Sequence, residues 1–190
     1  MKNDSLRIAF IGAHGTGKTT LAKVVSEKLN LPLIAEGVRE KMVYYKNEGY
    51  DKYDLDHYGG VFQLFQDELL IERLFEENEK VHFISDRSTI DNFAYYATNQ
   101  ICKPLSEKTF KAYEYLCLSQ SKKYSHLFLV PVSFPAVADG VRETTYQSQI
   151  IIENFIRGFC EKNNIRYIEI DTNCNTVEER VKFVLDVVNG

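Results

Sequence analysis

Eight residues near the amino terminus, Gly12-Ala13-His14-Gly15-Thr16-Gly17-Lys18-Thr19, carry the clearest chemical signal in the chain. They complete the pattern G-x-x-x-x-G-K-[ST], in which glycines let the backbone curl until successive N–H groups point at phosphate oxygens. A helix opening behind the loop adds the positive end of its dipole. Lys18 is placed to reach β- and γ-phosphates, and Thr19 to ligate Mg²⁺ through its hydroxyl. Residues 12–20, Thr20 included, therefore read as a nucleoside triphosphate site. No guanine-reading Asn-Lys-x-Asp is present, so ATP is the expected nucleotide and co-substrate. His14 fills a permitted loop position and is given no catalytic part.

A second group follows at Ser85-Asp86-Arg87-Ser88. Asp86 suits a Mg²⁺ ion or its bound water, so Thr19 and Asp86 are the expected metal residues. ATPases that polarise water want a further carboxylate at the next position. Here it is Arg87, a planar donor suited to a phosphate or a transition-state charge. A buried structural ion pair between Asp86 and Arg87 is the plainer alternative.

Five apolar segments can position these groups. Leu6 to Ile11 ends in Gly12, as a buried parallel strand would. Pro32 to Ala35, Val81 to Ser85, His126 to Val130 and Tyr167 to Ile170 are further strands. Helices are expected over Lys18–Leu29, Val61–Glu77 (Phe62, Phe65, Leu69 and Leu70 inward), Ser106–Gln120 and Tyr146–Asn163. A last helix opens with the capping box Thr176-Val177-Glu178-Glu179. Strands alternating with helices predict an α/β, three-layer P-loop NTPase fold: a five-stranded parallel sheet with helices on both faces and right-handed crossovers. Ligands then lie beyond the carboxyl ends of the strands. That edge gathers Gly12–Thr19, Glu36, Asp86, an irregular segment at 133–142 and Asp171–Thr176.

The chain has 190 residues, 44% apolar and 26% charged, consistent with one folded domain over 1–190. A net charge of −4 argues against a general nucleic-acid coat, whose phosphate contacts need excess Lys and Arg. No stretch approaches the ~20 apolar residues of a membrane span, and the first residues are too soon interrupted for a signal peptide. Cys102, Cys117, Cys160 and Cys174 lie far apart, without Cys-x-x-Cys or zinc spacing, and read as reduced structural thiols of a cytoplasmic protein.

With the phosphate loop, the Asp86-Arg87 pair and Asp91-Asn92-Phe93-Ala94-Tyr95 in order, the chain resembles the thymidylate kinase and deoxynucleoside kinase group. Glu36-Gly37-Val38-Arg39-Glu40 and Asp139-Gly140-Val141-Arg142 bring it closer to a small AAA-type ATPase/kinase family, which includes the ribosylnicotinamide kinase domain of NadR. The resemblance spans nearly the whole chain. It implies ATP-dependent phosphoryl transfer to a small nucleoside- or nucleotide-like acceptor, with Lys18, Glu36, Asp86, Arg87 and Arg142 catalytic. Glu36 would accept the acceptor's hydroxyl proton, unless it caps the next helix or pairs with Arg39; Asp86 is the rival base. Arg142 would close from a short lid at about 133–146. Arg39 would meet a substrate phosphate, or be a solvated helix residue. Gln63 and Gln66 would read a base edge among the rings of Tyr44, Tyr45, Tyr50, Tyr53, Tyr58, Phe62 and Phe65, unless these serve packing. Asp91 would bind substrate or cap a helix. Asn173, after the last strand, would lie beside the adenine. Partners expected are a small nucleoside-like molecule and, admitted but not required, a second copy of the chain; nucleic acid and membrane are not. The competing readings are a nucleotide-binding regulatory ATPase with weak turnover and a kinase of nucleic-acid 5′ ends.

Overall fold

Alternation along the first strand sets up both faces of the molecule. In β1 (Arg7–Ile11) Ile8 and Phe10 point one way and Ala9 and Ile11 the other, and all four are fully buried. A computed structural model describes residues 5–50, 59–100, 106–135 and 145–190. Four further strands join β1: β2 (Leu33–Ile34), β3 (Phe83–Asp86), β4 (His126–Leu129) and β5 (Ile168–Glu169). They form one parallel sheet in the order β2-β3-β1-β4-β5, with Phe10 opposite Asp86 on one side and Phe128 on the other. This is the expected five-stranded α/β P-loop sheet. The edge strands β2 and β5 are shorter than their apolar runs.

One face carries α1 (Lys18–Leu29) and the final helix, α7 (Val177–Asn189). Leu21, Ala22, Val25, Val181 and Val184 pack there on Ile8, Phe10 and Phe128. The other face carries α3 (Gly59–Glu79), α4 (Thr89–Gln100), α5 (Glu107–Ser121) and α6 (Tyr146–Lys162) over Ala9, Ile11, Leu127 and Leu129. A satellite helix, α2 (Val38–Asn47), packs Tyr45 on Phe65 and Leu69 of α3. Caps appear where short polar side chains precede apolar stripes. Ser106 accepts from Thr109 N, while Thr145 with Ser148 and Thr176 with Glu179 form capping boxes. Among the described residues no helix is long and apolar enough to cross a membrane. Cys117 and Cys160 are buried free thiols and Cys174 is a half-buried one.

Candidate active site

The turn from β1 into α1 is made by glycines in positive-φ backbone. At Gly12, with φ +138°, a Cβ would stand 2.6 Å from the Val130 carbonyl oxygen, so the backbone just past β4 leaves no room for a side chain. Gly17, at φ +92°, begins α1 without a side-chain cap, leaving the first-turn N–H groups to an outside acceptor. Lys18 is buried, its ammonium donating to Ala13 O and, at 3.1 Å, to Thr16 Oγ1. Burial first, then the Arg87 charge, hold that ammonium down at about 7, while Asp91, Asp86 and Glu36 pull it up. The loop lysine and the strand-end groups thus share one electrostatic field. Thr19 and Thr20 lie exposed on the first turn of α1.

Arg87 is the centre of the second group. It adopts φ +75°, a left-handed conformation rare for a side chain of this size, just past the end of β3. Its Nε meets Glu36 Oε1 at 2.5 Å, across the ends of β3 and β2. The guanidinium lies over the Tyr95 ring, 4.8 Å from its centroid. Nη1 is buried without a hydrogen-bond partner among the described residues, and Asp91 Oδ1 stands 3.9 Å away. Arg87 therefore pairs with Glu36 rather than with its chain neighbour Asp86, and keeps one donor for an anion.

Asp91 is fully buried, and both its oxygens are occupied. Oδ1 accepts from Gly12 N at 3.0 Å, and Oδ2 accepts from Ser88 N at 2.8 Å and Ser88 Oγ at 3.1 Å. It caps the start of α4 and ties that helix to the phosphate loop, which leaves no lone carboxylate facing a substrate. His14 is likewise more than filler. It is buried, its N and Nδ1 each meet Tyr95 OH at 3.0 Å, and its carbonyl accepts from Gln149 Nε2 at 2.9 Å.

Beneath the loop after β3 lies a buried polar network. Arg73 of α3 donates to Ser85 Oγ (2.6 Å), Arg87 O (3.1 Å) and Asp86 O (3.2 Å) and pairs with Glu77 at 3.6 Å. Glu77 accepts in turn from Tyr124 OH and Gln120 Nε2, each at 2.7 Å. These contacts hold the backbone that aims Asp86 and Arg87. Arg73 and Arg180 of α7 were not singled out from sequence, and Tyr95 entered only as the end of the Asp91–Tyr95 motif, without its contacts to His14 and Arg87. The available signal was Arg73 and Glu77 at i, i+4 on the buried stripe of α3.

Other expected residues fall less centrally. Arg39 is exposed on the first turn of α2. Gln63 is half-buried and spans Asp67 Oδ1 (2.5 Å) and Tyr96 OH (2.8 Å). Tyr45, Phe62, Phe65 and Gln66 are buried in packing; Tyr45 meets Phe65 edge-on at 5.7 Å. Tyr44 and Tyr50 are exposed. Asn173 turns its amide onto Asp171 Oδ1 at 2.8 Å. Tyr53, Tyr58, Cys102 and Arg142, with the 136–144 part of the expected lid, lie outside the described residues.

The donor set fits a hard divalent cation such as Mg²⁺. Asp86 is buried, and among the described residues nothing donates a hydrogen bond to its carboxylate; Thr19 offers a hydroxyl at the loop exit. Among the described residues there is no group of three or more His, Cys, Asp or Glu that could hold a metal alone, so phosphate oxygens would complete the shell.

No curated protein matches the sequence. Among solved structures, deoxyadenosine kinase from M. mycoides with products dCMP and dCDP superposes with a TM-score of 0.69 at 16% identity, over 97% of this chain and 98% of that one. NadR protein in complex with NR gives 0.73 at 17% identity, over 97% of this chain and 51% of NadR, so the chain spans about half of that protein. YorR protein from Bacillus subtilis, in complex with phosphorylated GDP, gives 0.55 at 17% identity, over 96% and 95%. At these identities the likeness is one of fold, the P-loop kinase fold. A model of the AAA domain family matches residues 7–180, and the chain belongs to that family.

Proposed function

We propose that the protein is an ATP-dependent kinase of a small nucleoside- or nucleotide-like acceptor. The observation that carries this reading is the Glu36–Arg87 pair set at the strand ends within the electrostatic reach of Lys18. A site built for water activation would want a carboxylate where Arg87 stands. The structural neighbours support the same reading, since a deoxyadenosine kinase is among them.

In the proposed reaction the acceptor hydroxyl oxygen forms a bond to the γ-phosphorus. The bond from that phosphorus to the β–γ bridging oxygen breaks, and its electron pair leaves with ADP. Lys18 neutralises charge on the transferred group and the leaving phosphate, and Arg87 Nη1 offers the free donor for the same charge. Glu36, held by Arg87 Nε, orients the hydroxyl and takes its proton. Thr19 and Asp86 would hold Mg²⁺, which when bound offsets negative charge on the phosphates. Arg39, on the acceptor side, would meet a phosphate if the acceptor is a nucleotide. The phosphoryl transition state needs mostly placement and charge rather than strong base chemistry, which suits a carboxylate already engaged by an arginine.

ADP release with Mg-ATP alone, then with nucleosides, nucleotides, ribosylnicotinamide and 5′-hydroxyl oligonucleotides, tests the reading. Strong stimulation by one small-molecule class is the expected result. Release with Mg-ATP alone that no acceptor raises would make the protein an ATPase, and stimulation by oligonucleotides alone would make it an end kinase.

A further inference from the structure

Sheet order dictates which way a nucleotide must lie. The strand ends run β2, β3, β1, β4, β5, carrying in turn Glu36, Arg87, the phosphate loop, the turn after Val130 and the Asp171–Thr176 turn. A nucleoside triphosphate is linear, with the transferable phosphate at one end and the base at the other. With that phosphate directed at Glu36 and Arg87, the nucleoside runs toward β4 and β5. On that side the 171–176 turn is mostly exposed, yet its shape is preset. Asp171 Oδ1 accepts from Asn173 N at 2.8 Å, and Cys174 N donates to Asp171 O at 2.9 Å. Glu179 Oε2 accepts from Asn175 N and Thr176 N, both at 2.9 Å.

One side chain joins this turn to the phosphate loop. Arg180, half-buried on α7, donates from Nε to Cys174 O and from Nη1 to Thr16 O, each at 3.0 Å. Its Nη1 also lies 3.6 Å from where a Cβ on Gly17 would stand. A guanidinium is planar and rigid, so bonds from two of its nitrogens fix the spacing of the two carbonyls. A lysine has one rotatable donor point and cannot do the same.

We infer that Arg180 is a positioning residue for nucleotide specificity: it sets the 171–176 turn as a shelf for the base at a defined distance from the phosphate loop. The inference rests on the nucleotide reading proposed above, with the base beside the turn after β5, and deepens it by naming the side chain that fixes that turn to the phosphate loop. Base binding then depends on Arg180 more than phosphate binding does.

The test compares Mg-ATP, Mg-UTP and magnesium tripolyphosphate, which has phosphates but no base, by calorimetry on the full chain and on Arg180→Gln and Arg180→Lys. Arg180→Gln is expected to weaken ATP about 10-fold, or 1.4 kcal/mol, and to narrow the preference between ATP and UTP, with tripolyphosphate changed less than ~3-fold. Arg180→Lys is expected to restore only part of the loss, and it carries the comparison should the glutamine variant not fold. Equal losses for ATP and tripolyphosphate would overturn the inference, because Arg180 would then merely brace the phosphate loop. No loss for ATP would overturn it too. A wild-type chain that binds neither ligand would overturn the nucleotide reading and the inference together.

Discussion

Gly12 and Glu36 show how much of this site depends on single residues. A Cβ at Gly12 would enter the Val130 backbone just past β4, which cannot move aside as a side chain can, and φ +138° is strained for any L side chain. Overpacking of this kind costs roughly 1–3 kcal/mol. Gly12→Ala should therefore lower the melting temperature by about 4–12 °C, taking ~2–3 kcal/mol at ~2–4 °C per kcal/mol for a chain of this size. Glu36→Gln keeps the size of the side chain but removes the charge facing Arg87 and the hydroxyl proton. Transfer should fall ~10²–10⁴-fold, with ATP affinity changed less than ~3-fold, under ~0.7 kcal/mol. Single-turnover kinetics beside direct nucleotide binding checks both halves. Unchanged transfer would move the base role to Asp86.

Elements act here through what they buttress. α3 carries Arg73 and Glu77 one turn apart, and their network grips the chain where β3 ends. Arg87 in left-handed backbone costs of order 1–3 kcal/mol, as such outliers do when surrounding structure imposes them. Arg73 bonds the Asp86 and Arg87 carbonyls, which belong to the two peptide groups flanking the Arg87 Cα, and thereby holds that conformation. Arg73→Met strips three hydrogen bonds and leaves Glu77 buried and uncompensated, a loss of roughly 3–5 kcal/mol. Adding Glu77→Gln should return part of that stability, since no unpaired charge remains. Denaturant unfolding of the two singles and the double measures the coupling; strictly additive losses would show that the pair does not act as a unit.

For the molecule as a whole, the parallel sheet carries two cores, and the phosphate loop crosses from one to the other. Ala13 belongs to the α3–α6 core, while Leu21, one turn into α1, belongs to the α1–α7 core. A ligand seated on the loop thus binds a feature that exists only when both faces are assembled, and it stabilises the native state alone. Mg-nucleotide at ~100 times its dissociation constant should add ~2.7 kcal/mol, a rise of roughly 5–11 °C in melting temperature for a chain of this size. Lys18→Ala should abolish most of that rise and cut turnover at least ~10²-fold. A folded Lys18→Ala protein with an unchanged shift would remove the lysine from the phosphate site. Chelation of divalent cations should suppress turnover in the wild-type chain.

Local chemistry was legible in the sequence wherever adjacent residues act together. The phosphate loop lies within eight positions, because its groups are backbone N–H and one lysine on a single turn. The helix caps at Ser106 and Thr176 need only a short polar side chain and a partner three residues on, and helix α1 runs over the residues its apolar spacing predicts. The parallel sheet followed from strands alternating with helices. Tertiary structure alone decided which distant groups meet. Glu36 was expected as a base, a helix cap or a partner of Arg39; that it also meets Arg87, 51 positions away, follows from the pairing of β2 with β3. Asp91 could cap or bind, and burial beneath Gly12 gave both its oxygens to protein donors. The aromatics around Tyr45 and Phe65 had the composition of a stacking pocket, yet the packing of α2 on α3 took Tyr45 and Phe65 themselves into a core and left Tyr44 and Tyr50 exposed. Arg180 lies 164 positions from Thr16, and no local spacing relates them. Covalent neighbours constrain one another through backbone geometry, whereas ion pairs and buried donors are matched across space, by the order in which the sheet places its strands.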